Sequence, residues 1–150
     1  MAEFVEMVLA ILRVHGRLTR VIEAGLRRDG NRLTAEQALV IWHVGEKVSR
    51  PKDLVARGEY MGTNVTYSLN KLQECGLLVR VVDKTDQRAQ ILRLTPAGEK
   101  VHAAVGALFK QHAADLKSLA QMDDAKTTRT MASLREIELF WNERLLYWMG

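Results

Sequence analysis

Residues 62–76 read Gly-Thr-Asn-Val-Thr-Tyr-Ser-Leu-Asn-Lys-Leu-Gln-Glu-Cys-Gly. Val65, Leu69 and Leu72 recur at i, i+4 and i+7, the spacing of one buried helix face. The opposite face then holds Thr63, Thr66, Tyr67 and Asn70, with Asn64 and Lys71 at its margins. Hydroxyls, amides and an amine on such a face suit phosphate oxygens and the base edges of a DNA groove. The helix N-terminus itself favours a phosphate. A solvated helix face would carry similar residues, so what lies beside it decides the reading. Downstream, Asp83-Lys84-Thr85-Asp86-Gln87-Arg88 alternates acids and bases between two β-rich runs. Asp86 and Arg88 are two apart and share one side of a strand. The Asp86 carboxylate therefore supports the Arg88 guanidinium, and an arginine fixed at a hairpin tip fits a narrow minor groove. Arg50, Lys52 and Lys84 add positive charge around the same segment.

Other chemistry finds little purchase. Glu99-x-x-His102 has the i, i+3 spacing of carboxylate-bridged metal sites, but only His112 and Asp115 lie near as further ligands. No Cys/His cluster has zinc spacing, and neither a Gly-rich phosphate loop nor a G-x-S-x-G elbow occurs. No metal, no cofactor and no enzymatic activity are expected. The lone Cys75 excludes an internal disulfide. Its expected role is that of a small buried residue rather than a redox sensor.

The elements that must position these residues follow from periodicity and caps. Phe4, Val8, Ile11, Leu12, His15, Leu18, Thr19 and Ile22 make residues 2–28 one amphipathic helix ending near Asp29-Gly30. Residues 34–46 form a second helix, with Thr34 and Gln37 as a capping box. Ser49-Arg-Pro51 opens a short third helix, with proline at the first helical position, and this helix ends near Arg57-Gly58. The fourth runs from about Thr63 to Cys75 and stops at Gly76 in a left-handed cap. Residues 77–82 and 89–94 form a hairpin. Thr95-Pro96 opens a fifth helix to about residue 120. A last helix over 124–148 has a wide apolar face of Met131, Leu134, Ile137, Phe140, Trp141, Leu145 and Trp148. The expected fold class is mainly α with a small β-hairpin wing, a winged helix-turn-helix flanked by long dimerisation helices. Residues 31–98 are the expected DNA-binding lobe of a single 1–150 regulator, and 1–30 with 99–150 the dimerisation helices. The outer helices carry more apolar surface than one small core uses, which points to a two-fold homodimer.

Composition agrees with this outline. The chain has 150 residues, 47% of them apolar, enough for one domain with a real core. Of its net charge of +4, +3 falls within residues 50–100, a local basic excess that suits an anionic partner. The N-terminus lacks a signal-peptide pattern, and no apolar run approaches the roughly 20 residues of a membrane span. A cytoplasmic protein without a membrane partner is expected.

In this order and spacing, the motifs resemble the MarR family of bacterial winged-helix transcription regulators. Leu33-Thr34-x-x-Gln37-x-x-Val40-Ile41 resembles the family's second helix. Thr63-Asn64-Val65-Thr66 through Leu72 and Gly76-Leu77 resemble its recognition helix and exit, and Asp86-x-Arg88 with Leu94-Thr95-x-x-Gly98 its wing and next helix. Tyr67 departs from the pattern, where a basic residue is common, and so does Ser68, where an aliphatic is common. The segment Tyr60 to Leu72 is similar to a branch that includes regulators of L,D-transpeptidase genes. The resemblance implies a homodimer on a pseudo-palindromic operator in double-stranded DNA, a repressor released by a small-molecule effector. It also implies an effector pocket between the dimer helices and the DNA-binding lobe, where His15, Thr19, Trp42 and His43 would lie. A winged helix turned into a protein-interaction module is the alternative, and it has no need of a basic wing beside a polar helix. The operator, the regulated genes and the sign of regulation are not legible in the residues.

Overall fold

The computed structural model describes residues 1–47, 50–56, 62–82 and 89–149, without the side chains of residues 62, 63 and 149. In chain order the elements are α1 (Ala2–Arg28), α2 (Ala35–Gly45), α3 (Pro51–Ala56), α4 (Gly62–Glu74), β1 (Leu78–Val82), β2 (Gln90–Leu94), α5 (Pro96–Ser118) and α6 (Asp124–Met149). This is the order the sequence predicts. Two compact units divide the chain, residues 1–109 and residues 110–150.

Local chemistry explains the element ends. The Thr34 hydroxyl accepts from the Gln37 amide at 3.2 Å, and the Gln37 side chain accepts from the Thr34 amide at 3.1 Å. This capping box satisfies two of the donors orphaned at the start of α2. A third is taken by a residue from another helix: Glu23 of α1 accepts from the Ala35 amide at 3.1 Å. Gly76 sits at φ +68, in the left-handed region that glycine enters without a Cβ penalty. The turn it makes lets the Leu77 amide reach back to the Leu72 carbonyl at 2.9 Å, closing α4.

The core of the first unit gathers one face from each element. Ile22 and Leu26 of α1, Ala38, Val40 and Ile41 of α2 and Leu54 of α3 are buried together with Val65, Leu69 and Leu72 of α4. Leu78 and Leu92 of the hairpin and Val101 and Val105 of α5 complete the cluster. The C-terminal half of α1 thus packs into the same core as the helices that follow it. The hairpin is antiparallel, with Leu78 opposite Leu94, Arg80 opposite Leu92 and Val82 opposite Gln90.

Cys75 corrects the sequence reading: it is exposed, not buried. Helix α4 ends at Glu74, one residue short of it. The Gly76 turn then carries Leu77 and Leu78, rather than the thiol, towards the core.

In the second unit, Lys117 of α5 lies 3.3 Å from Asp124 at the start of α6. Leu134, Phe140, Leu145 and Trp148 of α6 are exposed. On α1, Phe4, Leu9, Leu12 and Leu18 are exposed as well. Among the described residues no helix is long and apolar enough to cross a membrane.

Candidate nucleic-acid interface

Helix α4 divides as its periodicity requires. Val65, Leu69 and Leu72 are buried, while Asn64, Thr66, Tyr67 and Asn70 are exposed on the other side. Thr63 lies in the first turn of α4, but its side chain is outside the described residues. Ser68 is buried at 3% exposure. Its hydroxyl donates to Glu36 of α2 at 3.3 Å. A buried hydroxyl with a partner avoids the cost of an unsatisfied polar group, and here the bond ties α4 to the helix behind it.

The charges on α4 cancel locally. Lys71 is its one basic residue, and its ammonium lies 2.7 Å from Glu74 one turn on. That hydrogen bond, with the charge of Glu74, raises the Lys71 pKa above the ordinary lysine value, so the amine stays protonated. The same ammonium lies 5.9 Å from the centre of the Tyr67 ring.

Positive charge reaches this face from the wing. Arg80 of β1 donates from Nη2 to the Asn70 Oδ1 at 2.6 Å. Its Nε is enclosed and has no hydrogen-bond partner among the described residues. The sequence reading missed Arg80. The signal was its parity: Arg80 shares a strand face with Leu78 and pairs with Leu92, both buried, so a charged side chain there turns towards the body of the domain.

Two further expected contacts lie on α3 and just before it. Lys52 is exposed on α3 and Arg50 lies just before that helix. The wing tip, with Lys84, Asp86 and Arg88, lies outside the described residues, as do Ser49, Arg57, Gly58, Tyr60 and Met61.

The base of the wing is fixed by a compact knot. The Thr95 hydroxyl donates to the Gly76 carbonyl at 2.6 Å and accepts from the Gly98 amide at 3.1 Å. The Thr95 amide donates to the Leu77 carbonyl at 3.1 Å. One threonine therefore joins the exit of α4, the end of the hairpin and the start of α5. Gly98 is required here, since a Cβ on it would stand 2.0 Å from the Leu77 carbonyl oxygen.

The four residues expected around an effector have different immediate surroundings. His15 is exposed, and the Thr19 hydroxyl is bound to the His15 carbonyl at 2.9 Å. His43 is buried. Trp42 stacks on His102 with ring centres 5.1 Å apart and meets Phe109 edge-on at 5.5 Å. His102 Nε2 lies 3.4 Å from the Glu46 carboxylate, but without hydrogen-bond geometry. This is close enough for attraction if the ring is charged, and it is not a made hydrogen bond. His102 therefore turns to Trp42, and among the described residues no cluster of three or more His, Cys, Asp or Glu could hold a metal ion. An open cleft of about 590 Å³ lies elsewhere, lined by Glu23, Arg27, Gly30, Arg32, Leu33 and Thr34.

Comparison with known proteins agrees with this geometry. The family described as a winged helix DNA-binding domain matches residues 33–98. The exopolysaccharide II synthesis transcriptional activator ExpG of Rhizobium meliloti (strain 1021) is 28% identical over 142 residues, covering 87% of this chain and 73% of that protein. Among solved structures, a MarR family transcription regulator superposes with a TM-score of 0.76 at 19% identity, over 95% of this chain and 92% of its own. A cysteine-to-serine mutant of MarR from E. coli, in complex with operator DNA, gives 0.75 at 18% identity, over 90% and 95% of the two chains. The S. aureus MepR–DNA complex gives 0.74 at 18% identity, over 89% and 96%. Of these, ExpG is described as a transcriptional activator and the first structure as a transcription regulator, and the other two are complexes with DNA. Residues 33–98 thus match a winged helix DNA-binding domain, in a chain with the fold of the MarR family regulators.

Proposed function

We propose that the protein is a sequence-specific DNA-binding transcription regulator that acts in the cytoplasm as a homodimer on a pseudo-palindromic operator. The observation that carries the reading is the exposed polar face of α4, with Asn64, Thr66, Tyr67 and Asn70 opposite the buried Val65, Leu69 and Leu72. Thr63, Asn64 and Thr66 lie at the start of the helix, where a helix-turn-helix reader meets base edges. Arg50, Lys52 and Lys84 supply phosphate contacts, and Arg88, supported by Asp86, enters the adjacent minor groove. DNA complexes among proteins of the same fold support this docking.

The homodimer reading rests on the exposed apolar side chains of α1 and α6, including Leu12 and Phe140. On each of these helices, large apolar side chains exposed in this number are surface that a partner can cover. A two-fold axis would present two copies of α4 to one face of a duplex, about one helical turn apart. Release by a small-molecule effector follows from the family resemblance, with His15, Thr19, Trp42 and His43 as its expected surroundings. The sign of regulation depends on where the operator lies relative to the promoter. Repression is the expectation, and ExpG is described as an activator. The similarity of Tyr60–Leu72 to regulators of L,D-transpeptidase genes makes those genes a proposed target.

Selection of bound duplexes from a genomic DNA library tests the proposal. The expected product is a pseudo-palindrome with half-sites about one turn apart. A bound pool with no shared sequence would contradict it.

A further inference from the structure

We propose that Arg80 is a positioning residue for DNA readout: it fixes the Asn70 amide with its oxygen towards the wing and its NH2 towards DNA. The inference rests on the DNA-binding reading above and deepens it.

A guanidinium donates hydrogen bonds and accepts none. The atom of Asn70 that meets Arg80 Nη2 at 2.6 Å is therefore the carbonyl oxygen. An amide is planar, so its NH2 points the other way. Asn70 is exposed on the face of α4 that also carries Thr66 and Tyr67. A free asparagine on such a face presents either end of its amide, and the bidentate pairing with adenine uses both. Held by Arg80, Asn70 keeps its oxygen engaged at the wing and presents its NH2 outward.

The anchor itself is well held. Arg80 leaves β1 on the side of the buried Leu78 and Leu92. Its Nε is enclosed, and the bond to Asn70 is the one hydrogen bond found for its side chain among the described residues. The pair also bridges two elements that must dock together, the recognition helix and the wing. The DNA group that Asn70 meets is therefore a hydrogen-bond acceptor, either a phosphate oxygen or an acceptor on a base edge.

A double-mutant cycle tests this, measured on the duplex selected by the wild-type protein. Asn70→Ala is expected to weaken binding about tenfold in the wild-type background. In an Arg80→Leu background the same substitution should weaken it by less than about threefold, because the amide there is no longer oriented. The coupling is the readout, since any direct attraction of Arg80 to phosphate is present whether residue 70 is Asn or Ala. An equal Asn70→Ala factor in both backgrounds would overturn the proposal. Should Arg80→Leu fail to fold, Arg80→Lys and Arg80→Gln replace it. Lysine also only donates and should keep the Asn70 contribution, whereas glutamine can accept as well and should lose it. Equal Asn70→Ala factors in those two backgrounds would equally overturn the proposal. Repeating the selection with Asn70→Ala identifies the acceptor. A changed preference at one position per half-site assigns a base edge, and uniform weakening assigns a phosphate. Cytosine, which offers only its N4 donor there, selected through Asn70 by the wild type and lost in Asn70→Ala would contradict an amide that presents its NH2. If the wild-type protein enriches no duplex, the DNA-binding proposal fails. If it does and the cycle shows no coupling, only the role of Arg80 fails.

Discussion

Gly98→Ala adds one methyl group where the structure leaves no room. The new Cβ would lie 2.0 Å from the Leu77 carbonyl oxygen, 3.0 Å from its carbon and 3.3 Å from the Leu94 Cβ. The first two are backbone atoms, so no rotamer change relieves the clash. Either the first turn of α5 or the start of the hairpin must move. Overpacking of this kind costs about 1–3 kcal/mol. The Leu77 carbonyl also accepts from the Thr95 amide at 3.1 Å, and displacing it costs about another 1 kcal/mol. Alanine in place of glycine within a helix returns roughly 0.5–1 kcal/mol. The net expectation is a loss of about 1–3.5 kcal/mol, a large share of a typical domain stability of about 5–15 kcal/mol. Urea unfolding followed by circular dichroism measures it directly. The same shift should move the wing against α4, so operator binding should weaken even under conditions where the variant is folded. A stability within about 0.5 kcal/mol of wild type would refute the reasoning, because such a value belongs to an unconstrained surface site.

Thr34→Ala removes half of the α2 capping box and should cost about 0.5–2 kcal/mol in the same unfolding assay. Glu74→Gln frees Lys71 from its partner. Operator binding should then tighten, and the salt slope should steepen by up to about one unit, measured by fluorescence anisotropy across salt concentrations. Arg88→Ala should weaken operator binding by about 1–3 kcal/mol at constant salt while leaving the fold intact. Leu12→Glu or Phe140→Glu should dissociate the homodimer or unfold it, read by light scattering at micromolar concentration.

Most of the element order was legible because local signals there are strong. Thr34 with Gln37, Pro51, Gly76 and Thr95-Pro96 each punctuate the chain by backbone chemistry that acts within a few residues. The buried face of α4 was legible for the same reason, since Val65, Leu69 and Leu72 follow the helical period. What was not legible depends on residues far apart in the chain. Glu23 caps α2 from twelve residues upstream, and Ser68 is satisfied by Glu36. Arg80 reaches Asn70 only because the Gly76 turn folds the hairpin back beside α4. Cys75 shows the limit of residue type as a guide to burial: a small apolar thiol is expected inside, but it stands beyond the end of α4 and is exposed. His102 looked like half of a metal motif with Glu99. Its neighbours instead are Trp42, which it stacks on, and the Glu46 carboxylate, from α2 and the residue after it.

The central claim is that the polar face of α4 and the basic wing read DNA by sequence. Competition between the selected operator and a scrambled duplex of equal length, repeated over several salt concentrations, tests it most directly. A preference of at least about 10³ for the operator is expected at physiological salt. The logarithm of the affinity should fall linearly with the logarithm of salt concentration, because counterions released from neutralised phosphates then enter a more concentrated solution. Equal affinity for both duplexes, or binding indifferent to salt, would contradict it and favour a winged helix that docks on protein.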